Sequence, residues 1–468
     1  VHIIVVGGGG VGYEVARNLS EKQQDVVVIE KSEIKARRFR ESLDVMVIED
    51  NGANASVLEQ AGIKEAGMLI AVTHLDEINI IACMLAKQYD VPITVCRIRN
   101  SGYADDTSVL TPKQLGIDIV INPELVAATE ISKMLHFPDA SEVDYFNQGK
   151  VMMLAVTVGA EAGITGVPLH KLPLGPDCIV VGISDTEGNF IIPGGRDVIE
   201  PGQKIYLVGE SRTLKNISSL LHHEQTRISN VTILGGGKIA YRLARLLEDS
   251  MQSFNVKLIE KDESRCEDLC RELKKTLVLQ GDTNEIAMLK EEDTDQADAV
   301  IAATGDDRSN IVGALLARQF GVKKIICEVM KPQYVPVYSA LGIDSVINPR
   351  LMAAAQIIRL TRREDVVSLS ILQNEKAEIS EIVLPETAKV AGKTLEEANL
   401  PRGMLIGSIV RDGQVIIPNG NTVLTPGDHM VVFAVPRAGA KLDRYLASNS
   451  GVEGRESLRN KVAHVDEK

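Results

Sequence analysis

Two short glycine clusters are the residues of this chain whose types and spacing could do chemistry. Val5-Val6-Gly7-Gly8-Gly9-Gly10-Val11-Gly12 sets Gly7, Gly9 and Gly12 at G-x-G-x-x-G spacing directly after an apolar run, and Glu30 closes the next apolar run. In that pattern the first glycine permits a tight strand-to-helix turn, the second lets a pyrophosphate approach the backbone, and the third lets helix and strand pack closely. The helix N-terminus then turns its free N–H groups toward the phosphates. Glu30 is placed to accept hydrogen bonds from ribose hydroxyls and repels a 2′-phosphate, which argues against NADP. The pattern recurs as Gly235, Gly237 and Ala240 within Ile233-Leu234-Gly235-Gly236-Gly237-Lys238-Ile239-Ala240, with Glu260 as its acid. Alanine is allowed at the third position. One such cluster could merely close a turn. Two, each with its acid, point to nucleotide sites.

The elements that must position these residues are themselves duplicated. Val28-Ile29-Glu30-Lys31 is matched by Leu258-Ile259-Glu260-Lys261, and Leu115-Gly116-Ile117-Asp118 by Leu341-Gly342-Ile343-Asp344. Ile121-Asn122-Pro123 recurs as Ile347-Asn348-Pro349, and Ile192-Pro193-Gly194 as Ile417-Pro418-Asn419. In the first copy, strands are expected at Ile3–Val6, Val26–Glu30, Val45–Ile48, Met68–Val72, Ile93–Ile98 and Ile117–Ile121, with helical stretches such as Gly12–Ser20 and Ile78–Tyr89 between them. Alternation of this kind implies a parallel sheet covered on both faces. Asn122-Pro123 and Asn348-Pro349 should each open a helix, Asn capping its free N–H groups and Pro fitting its first turn.

The second part of each copy has short strands and turns, expected at Val151–Val158, Asp177–Ser184, Gly188–Ile192 and Lys204–Gly209, then a helix near Leu214–His223. Its repeat covers Glu378–Leu384, Met404–Arg411, Gln414–Ile417 and His429–Ala434. The fold class is therefore α/β: two tandem Rossmann-like parallel-sheet domains, each followed by a small α+β module. The expected divisions are 1–135, 136–226, 227–362 and 363–448, with a polar, unstructured tail at 449–468.

Other chemistries find little support. Gly392-Lys393-Thr394 resembles the end of a phosphate loop, but Thr387 stands where that loop needs its first glycine, so a structural turn is expected. His222 and His223 are adjacent and cannot face one ligand together, and Cys266 and Cys270 lack the spacing of a zinc or redox pair. No metal site and no catalytic group is expected. A net charge of −13 argues against nucleic acid as a partner. No apolar run is long enough for a bilayer, and the N-terminal residues read as a buried strand at Val1–Val6 with no basic segment, apolar stretch and cleavage site, so the expectation is a cytoplasmic chain without direct membrane insertion.

The two copies differ near their fingerprints. Asp50-Asn51-Gly52 follows the third strand in the first copy, and Gly281-Asp282-Thr283 in the second. After the fifth strand the first copy has Arg97 and Arg99, where the second has Glu328 and Met330. An arginine beside a phosphate site adds a charge-assisted contact, so the first site should suit extra phosphate charge better.

With both fingerprints, Thr73-x-x-Asp76-Glu77-x-Asn79, Thr304-x-x-Asp307-x-x-Asn310 and the Pro-Gly turns of the small modules, the chain resembles the TrkA family of regulatory subunits of Trk potassium uptake. It looks like two RCK domains in tandem, each followed by a TrkA-C module. Asp50-Asn51-Gly52 departs from the family's commoner Gly-Asp. The resemblance implies that Gly7, Gly8, Gly9, Gly10, Val11, Gly12, Glu30, Asn51, Thr73, His74 and Arg97 line a first site. Gly235, Gly236, Gly237, Lys238, Ile239, Glu260, Asp282 and Thr304 would line a second. It also implies NAD(H) as ligand, with ATP or ADP as further adenine nucleotides, and docking at the inner face of the cell membrane on a Trk-type potassium-translocating subunit. Self-assembly into a homotetrameric ring is implied as well. The competing readings are an NAD-dependent oxidoreductase, a free cytosolic sensor and a DNA-binding repressor. The first needs a proton donor that the small modules do not share, and the last needs a basic helix-turn-helix that is absent from the sequence.

Overall fold

The structure is a computed structural model that describes residues 2–100, 103, 110–160, 162–172, 174–175, 177–185, 189–214, 227–360, 368–372, 377–435 and 438. The expected tail at 449–468 lies outside them. Each fingerprint opens a six-stranded parallel sheet. The first has the order β3-β2-β1-β4-β5-β6, from β1 (His2–Val6), β2 (Asp25–Ile29), β3 (Met46–Ile48), β4 (Ala66–Ala71), β5 (Ile93–Arg97) and β6 (Ile119–Ile121). Ile3, Ile4, Val5 and Val6 are all buried, as a strand covered on both faces requires. The chain leaves β1 through α1 (Gly10–Glu21), whose Val11, Val15, Ala16 and Leu19 recur at helical spacing and face the core. The other helices are α2 (Glu33–Ser42), α3 (Ala55–Gln60), α4 (Asp76–Gln88) and α5 (Pro123–His136). Strand order reverses between β1 and β4, and that switch opens a crevice at the strands' carboxyl ends.

Asn122 caps α5 as expected, its Oδ1 accepting from the Leu125 N–H at 3.0 Å. The first small module is an antiparallel sheet of order β10-β9-β11-β8-β7, from β7 (Ala140–Phe146), β8 (Val151–Thr157), β9 (Cys178–Ser184), β10 (Phe190–Ile191) and β11 (Lys204–Glu210). Edge strand β7 was not expected. Its Glu142 and Asp144 break the apolar pattern, as charges on an edge strand do while they discourage further pairing. The helix expected over Leu214–His223 is described only at Leu214, the end of α6 (Ser211–Leu214).

The second copy repeats both parts. Its parallel sheet, β14-β13-β12-β15-β16-β17, is built from β12 (Asn230–Leu234), β13 (Asn255–Glu260), β14 (Leu277–Gln280), β15 (Ala299–Ala302), β16 (Lys324–Glu328) and β17 (Ser345–Ile347). The helices are α7 (Lys238–Glu248), α8 (Glu263–Glu272), α9 (Ile286–Glu291), α10 (Asp307–Gln319), α11 (Val335–Ala340) and α12 (Pro349–Leu360), the last capped by Asn348. Its module has the order β18-β19-β22-β20-β21, from β18 (Ser368–Leu372), β19 (Ala377–Val383), β20 (Met404–Arg411), β21 (Gln414–Ile416) and β22 (His429–Ala434), so an unexpected edge strand recurs. Thr394 caps α13 (Leu395–Ala398) in a reciprocal box with Glu397, which makes Gly392-Lys393-Thr394 a structural turn.

Like pairs with like. Of the described residues, those within 2–132 and 228–358 form one compact unit, and those within 133–227 and 359–438 form another. In the second unit the two module sheets share a core of Phe146, Met153, Tyr206, Ile379 and Phe433. At its edge the Asn147 N–H donates to a buried Glu381 carboxylate at 3.2 Å.

Candidate nucleotide sites

The first fingerprint loop is shaped by close backbone approach. Gly7 has φ of +109°, and a Cβ there would lie 2.8 Å from the Thr73 nitrogen, so only glycine fits. A Cβ on Gly12 would run into the Gly7 carbonyl, which is the packing role expected of the third glycine. Gly9 is different: a Cβ there meets nothing within 4 Å. The space over Gly9 is therefore open, as a backbone that receives phosphate requires. Gly10 begins α1, and Val11 turns its side chain into the core, leaving only its N–H to a ligand.

Glu30 is buried and ties the loop to the next element. One carboxylate oxygen accepts from the Gly8 N–H at 2.5 Å, and the other from the Ser32 N–H at 2.8 Å. The carboxylate thus fixes the loop and still presents lone pairs at the crevice. Gly52 packs directly on Val6, which brings the neighbouring Asn51 to the end of β1. The Asn51 side chain accepts from the Ala53 N–H at 3.1 Å and holds its own turn.

Thr73 follows β4, and its hydroxyl is taken by a buried partner. It donates to Asn79 Oδ1 at 2.7 Å, while the Thr73 N–H donates to the same oxygen at 2.8 Å. Asn79 Nδ2 donates to the Arg97 carbonyl at 2.9 Å, so one buried amide joins the ends of β4 and β5. Thr73 therefore borders the site mainly with its backbone, and His74 beyond it is exposed. In the sequence Asn79 stands out only as part of the family signature Thr73-x-x-Asp76-Glu77-x-Asn79. Its recurrence six residues after each threonine was the signal for this positioning role.

The second site repeats the construction. Gly235 has φ of +101°, and the Gly236 N–H donates to Glu260 at 2.6 Å. The Asp262 N–H donates to the other Glu260 oxygen at 2.9 Å. A Cβ on Gly237 would have only the Ala303 carbonyl near it, at 3.6 Å. Lys238 is exposed at the start of α7, Ile239 is buried, and Asp282 accepts from the Asn284 N–H at 2.9 Å. Thr304 binds Asn310 as Thr73 binds Asn79, and Asn310 Nδ2 reaches the Glu328 carbonyl at 3.0 Å.

Arg97 and Glu328 stand at equivalent strand ends with opposite charge. Burial pulls the Arg97 guanidinium below its ordinary value, opposed by Glu124 and reinforced by Arg99. Its Nε has no hydrogen-bond partner among the described residues. Burial pushes the Glu328 carboxyl up to about 7, with Asp307 adding to the effect. No hydrogen bond among the described residues links Arg97 to Gly7–Gly12. It closes β5, which β4 separates from β1 in the sheet. The described residues hold no group of three or more His, Cys, Asp or Glu side chains fit for a metal, and no helix among them is long and apolar enough to cross a membrane.

Known proteins agree with this construction. The TrkA-N domain pattern matches residues 3–123 and 231–349, and the TrkA-C domain pattern matches 153–222 and 379–447. A Trk system potassium uptake protein TrkA homolog 1 of Methanosarcina mazei is 34% identical over 450 residues, covering 95% of this chain and 99% of that one. The Trk system potassium uptake protein TrkA of Vibrio alginolyticus is 32% identical, covering 92% and 95%. Among solved structures, the GsuK RCK domain superposes with a TM-score of 0.61 at 18% identity, over 95% of each chain. The GsuK channel bound to NAD gives 0.62 at 18%, over 95% of this chain and 79% of that one. At that identity both show a shared fold. With both domain types matched twice and relatives aligned over nearly its whole length, the chain belongs to the TrkA family of Trk-system potassium uptake proteins.

Proposed function

We propose that this chain is a regulatory subunit, not an enzyme, which binds NAD(H) or an adenine nucleotide at its fingerprint loops and gates a Trk-type membrane potassium-translocating subunit. The observation that carries the reading is the open space over Gly9, bordered by the N–H groups that start α1 and by the buried Glu30 carboxylate. That cradle fits a pyrophosphate with an adenosine ribose at the acid. Gly7 to Gly12, Glu30, Asn51, Thr73, His74 and Arg97 would line the first ligand's site. Gly235 to Ile239, Glu260, Asp282 and Thr304 would hold the second. The likeness of fold to the GsuK channel bound to NAD supports NAD as one ligand. The protein works at the inner face of the membrane, in a ring of four copies, each divided near 135, 226, 362 and 448. A ligand shifts such a ring only by its different affinities for two shapes, and several coupled sites of ~1–2 kcal/mol each suffice.

Calorimetric titration of the full chain with NADH, NAD⁺, ATP and ADP tests the binding half. Gly9→Val should remove binding at the first loop without lowering the melting temperature, because its side chain enters only the ligand's space. Rubidium flux through the reconstituted membrane partner, with and without each nucleotide, tests the gating half. Unchanged binding in Gly9→Val, or identical flux with every nucleotide, would refute the respective half.

A further inference from the structure

The first fingerprint loop is not completed by its own half of the repeat. Where α1 begins, the backbone faces a cleft of about 260 Å³ bordered by Gly10, Tyr13, Glu14 and Arg38 of the first copy and by Lys331 and Arg350 of the second. Arg350 lies over the helix start: a Cβ on Gly10 would be 2.7 Å from its Cδ and 3.4 Å from Nη1. The Arg38 guanidinium rests 3.9 Å above the Tyr13 ring centroid, which holds it at the rim. Lys331 follows β16.

Three cations therefore converge with one carboxylate, and Glu14 is already bound to Arg17 at 2.7 Å. None of Arg38, Lys331 and Arg350 forms a salt bridge to a carboxylate among the described residues. Like charges held around a cleft repel one another unless an anion enters. The repeat makes the contrast sharper. In the second copy the positions of Arg38, Lys331 and Arg350 are filled by Asp268, Asn100 and Glu124, and Glu124 is taken up by Arg99 at 2.9 Å. At the same time Lys238 and Arg242 stand where the first copy has Gly10 and Glu14, so the second loop carries cations on its own helix while the first draws Lys331 and Arg350 from the other copy.

We propose that Arg350 and Lys331, residues of the second copy, are specificity-determining residues of the first site, binding phosphate beyond the pair held by the glycine loop. This rests on the nucleotide reading above. A polyphosphate that starts over Gly9 and continues past Gly10 enters the cleft, where a guanidinium can take its terminal oxygens in two parallel bonds. The first site then prefers a nucleoside triphosphate to a monophosphate. Its ligand also bridges the two halves of the repeat.

The test is the affinity ratio of ATP to AMP, measured by calorimetry on the full chain carrying Gly237→Val to silence the second loop. Arg350→Ala should weaken ATP roughly 10- to 100-fold, the range of a lost charge-assisted hydrogen bond, and AMP less than about threefold. Arg350→Lys should recover part of the loss. Lys331→Ala is the second variant, on an exposed loop whose truncation leaves the packing intact, and should lower the same ratio. Equal losses for ATP and AMP, or an unchanged ratio in both variants, overturn the inference. If Gly9→Val abolishes binding while that ratio is unmoved by Arg350→Ala, the nucleotide reading stands and this one falls. If neither nucleotide binds the Gly237→Val chain, both fall.

Discussion

Glu328 offers the most direct measure of how the interior of the parallel-sheet unit treats charge. Its carboxyl is 6% exposed at the end of β16, near Asp307, Glu124 and Arg350. Burial is the main force that lifts it from 4.5 to about 7, Asp307 adds to it, and the Gly305 N–H and Arg350 act the other way. A group whose folded value is raised in this way is held protonated by the fold. Its stability contribution is complete below about pH 4.5, is lost as pH rises toward 7, and is flat beyond. Lifting the carboxyl that far corresponds to roughly 3 kcal/mol between the two ends of the window. Glu328→Gln keeps the shape and the acceptor for Gly305 but cannot ionise. Urea unfolding from pH 4.5 to 8.5 should show wild type losing about 3 kcal/mol relative to this variant, with most of the change between pH 5 and 7. Parallel stability curves for the two proteins would refute the reasoning, since they would mean that Glu328 ionises as freely when folded as when unfolded.

Asn79→Ala removes the amide that joins Thr73 to the Arg97 carbonyl and leaves buried backbone groups unpaired. It should cost roughly 2–4 kcal/mol in denaturant unfolding, and Asn310→Ala should behave alike. In the second unit, Asp428 is 1% exposed and accepts from Arg411 Nε and Nη2 at 2.7 and 2.8 Å. Arg411→Ala strands that carboxylate and should lower stability by about 3 kcal/mol, with Arg411→Lys recovering part, as thermal unfolding would show.

Much of the fold was legible because the chain states it twice. Most strands of the two parallel sheets are predominantly apolar runs that need no partner to be recognised, and the Asn-Pro starts of α5 and α12 carry their cap in the sequence. Edge strands β7 and β18 were not legible. A strand paired on one side only has little apolar pattern, and its position depends on a neighbour far along the chain. At the first site, Gly7, Gly12 and Glu30 could be read because backbone geometry restricts the residue type. The grip of Asn79 on Thr73 could not, since a buried amide looks like any asparagine until its partners are known. Arg350 was hidden for another reason. It lies far along the chain from Gly10, and only the exchange of Glu124 for Arg350 after the two Asn-Pro pairs hinted at it.

The pairing of like with like has a consequence for how the polypeptide is made. Residues 1–132 leave the ribosome well before their counterpart, 228–358, has been synthesised, and the first small module waits in the same way for 359–454. At about 5–20 residues per second the delay is on the order of ten seconds or more. During that interval the face of the first parallel sheet domain that will meet the second is bare, and so is the module face carrying Phe146 and Tyr206. Two nascent chains on one messenger could pair these faces with each other's. Charge does little to prevent it, since the couplings that Arg97 and Glu328 make across the two copies are with like charges, Arg350 and Glu124. Duplication is thus also a constraint on timing: each half is complete only when the later part of its own chain has been made.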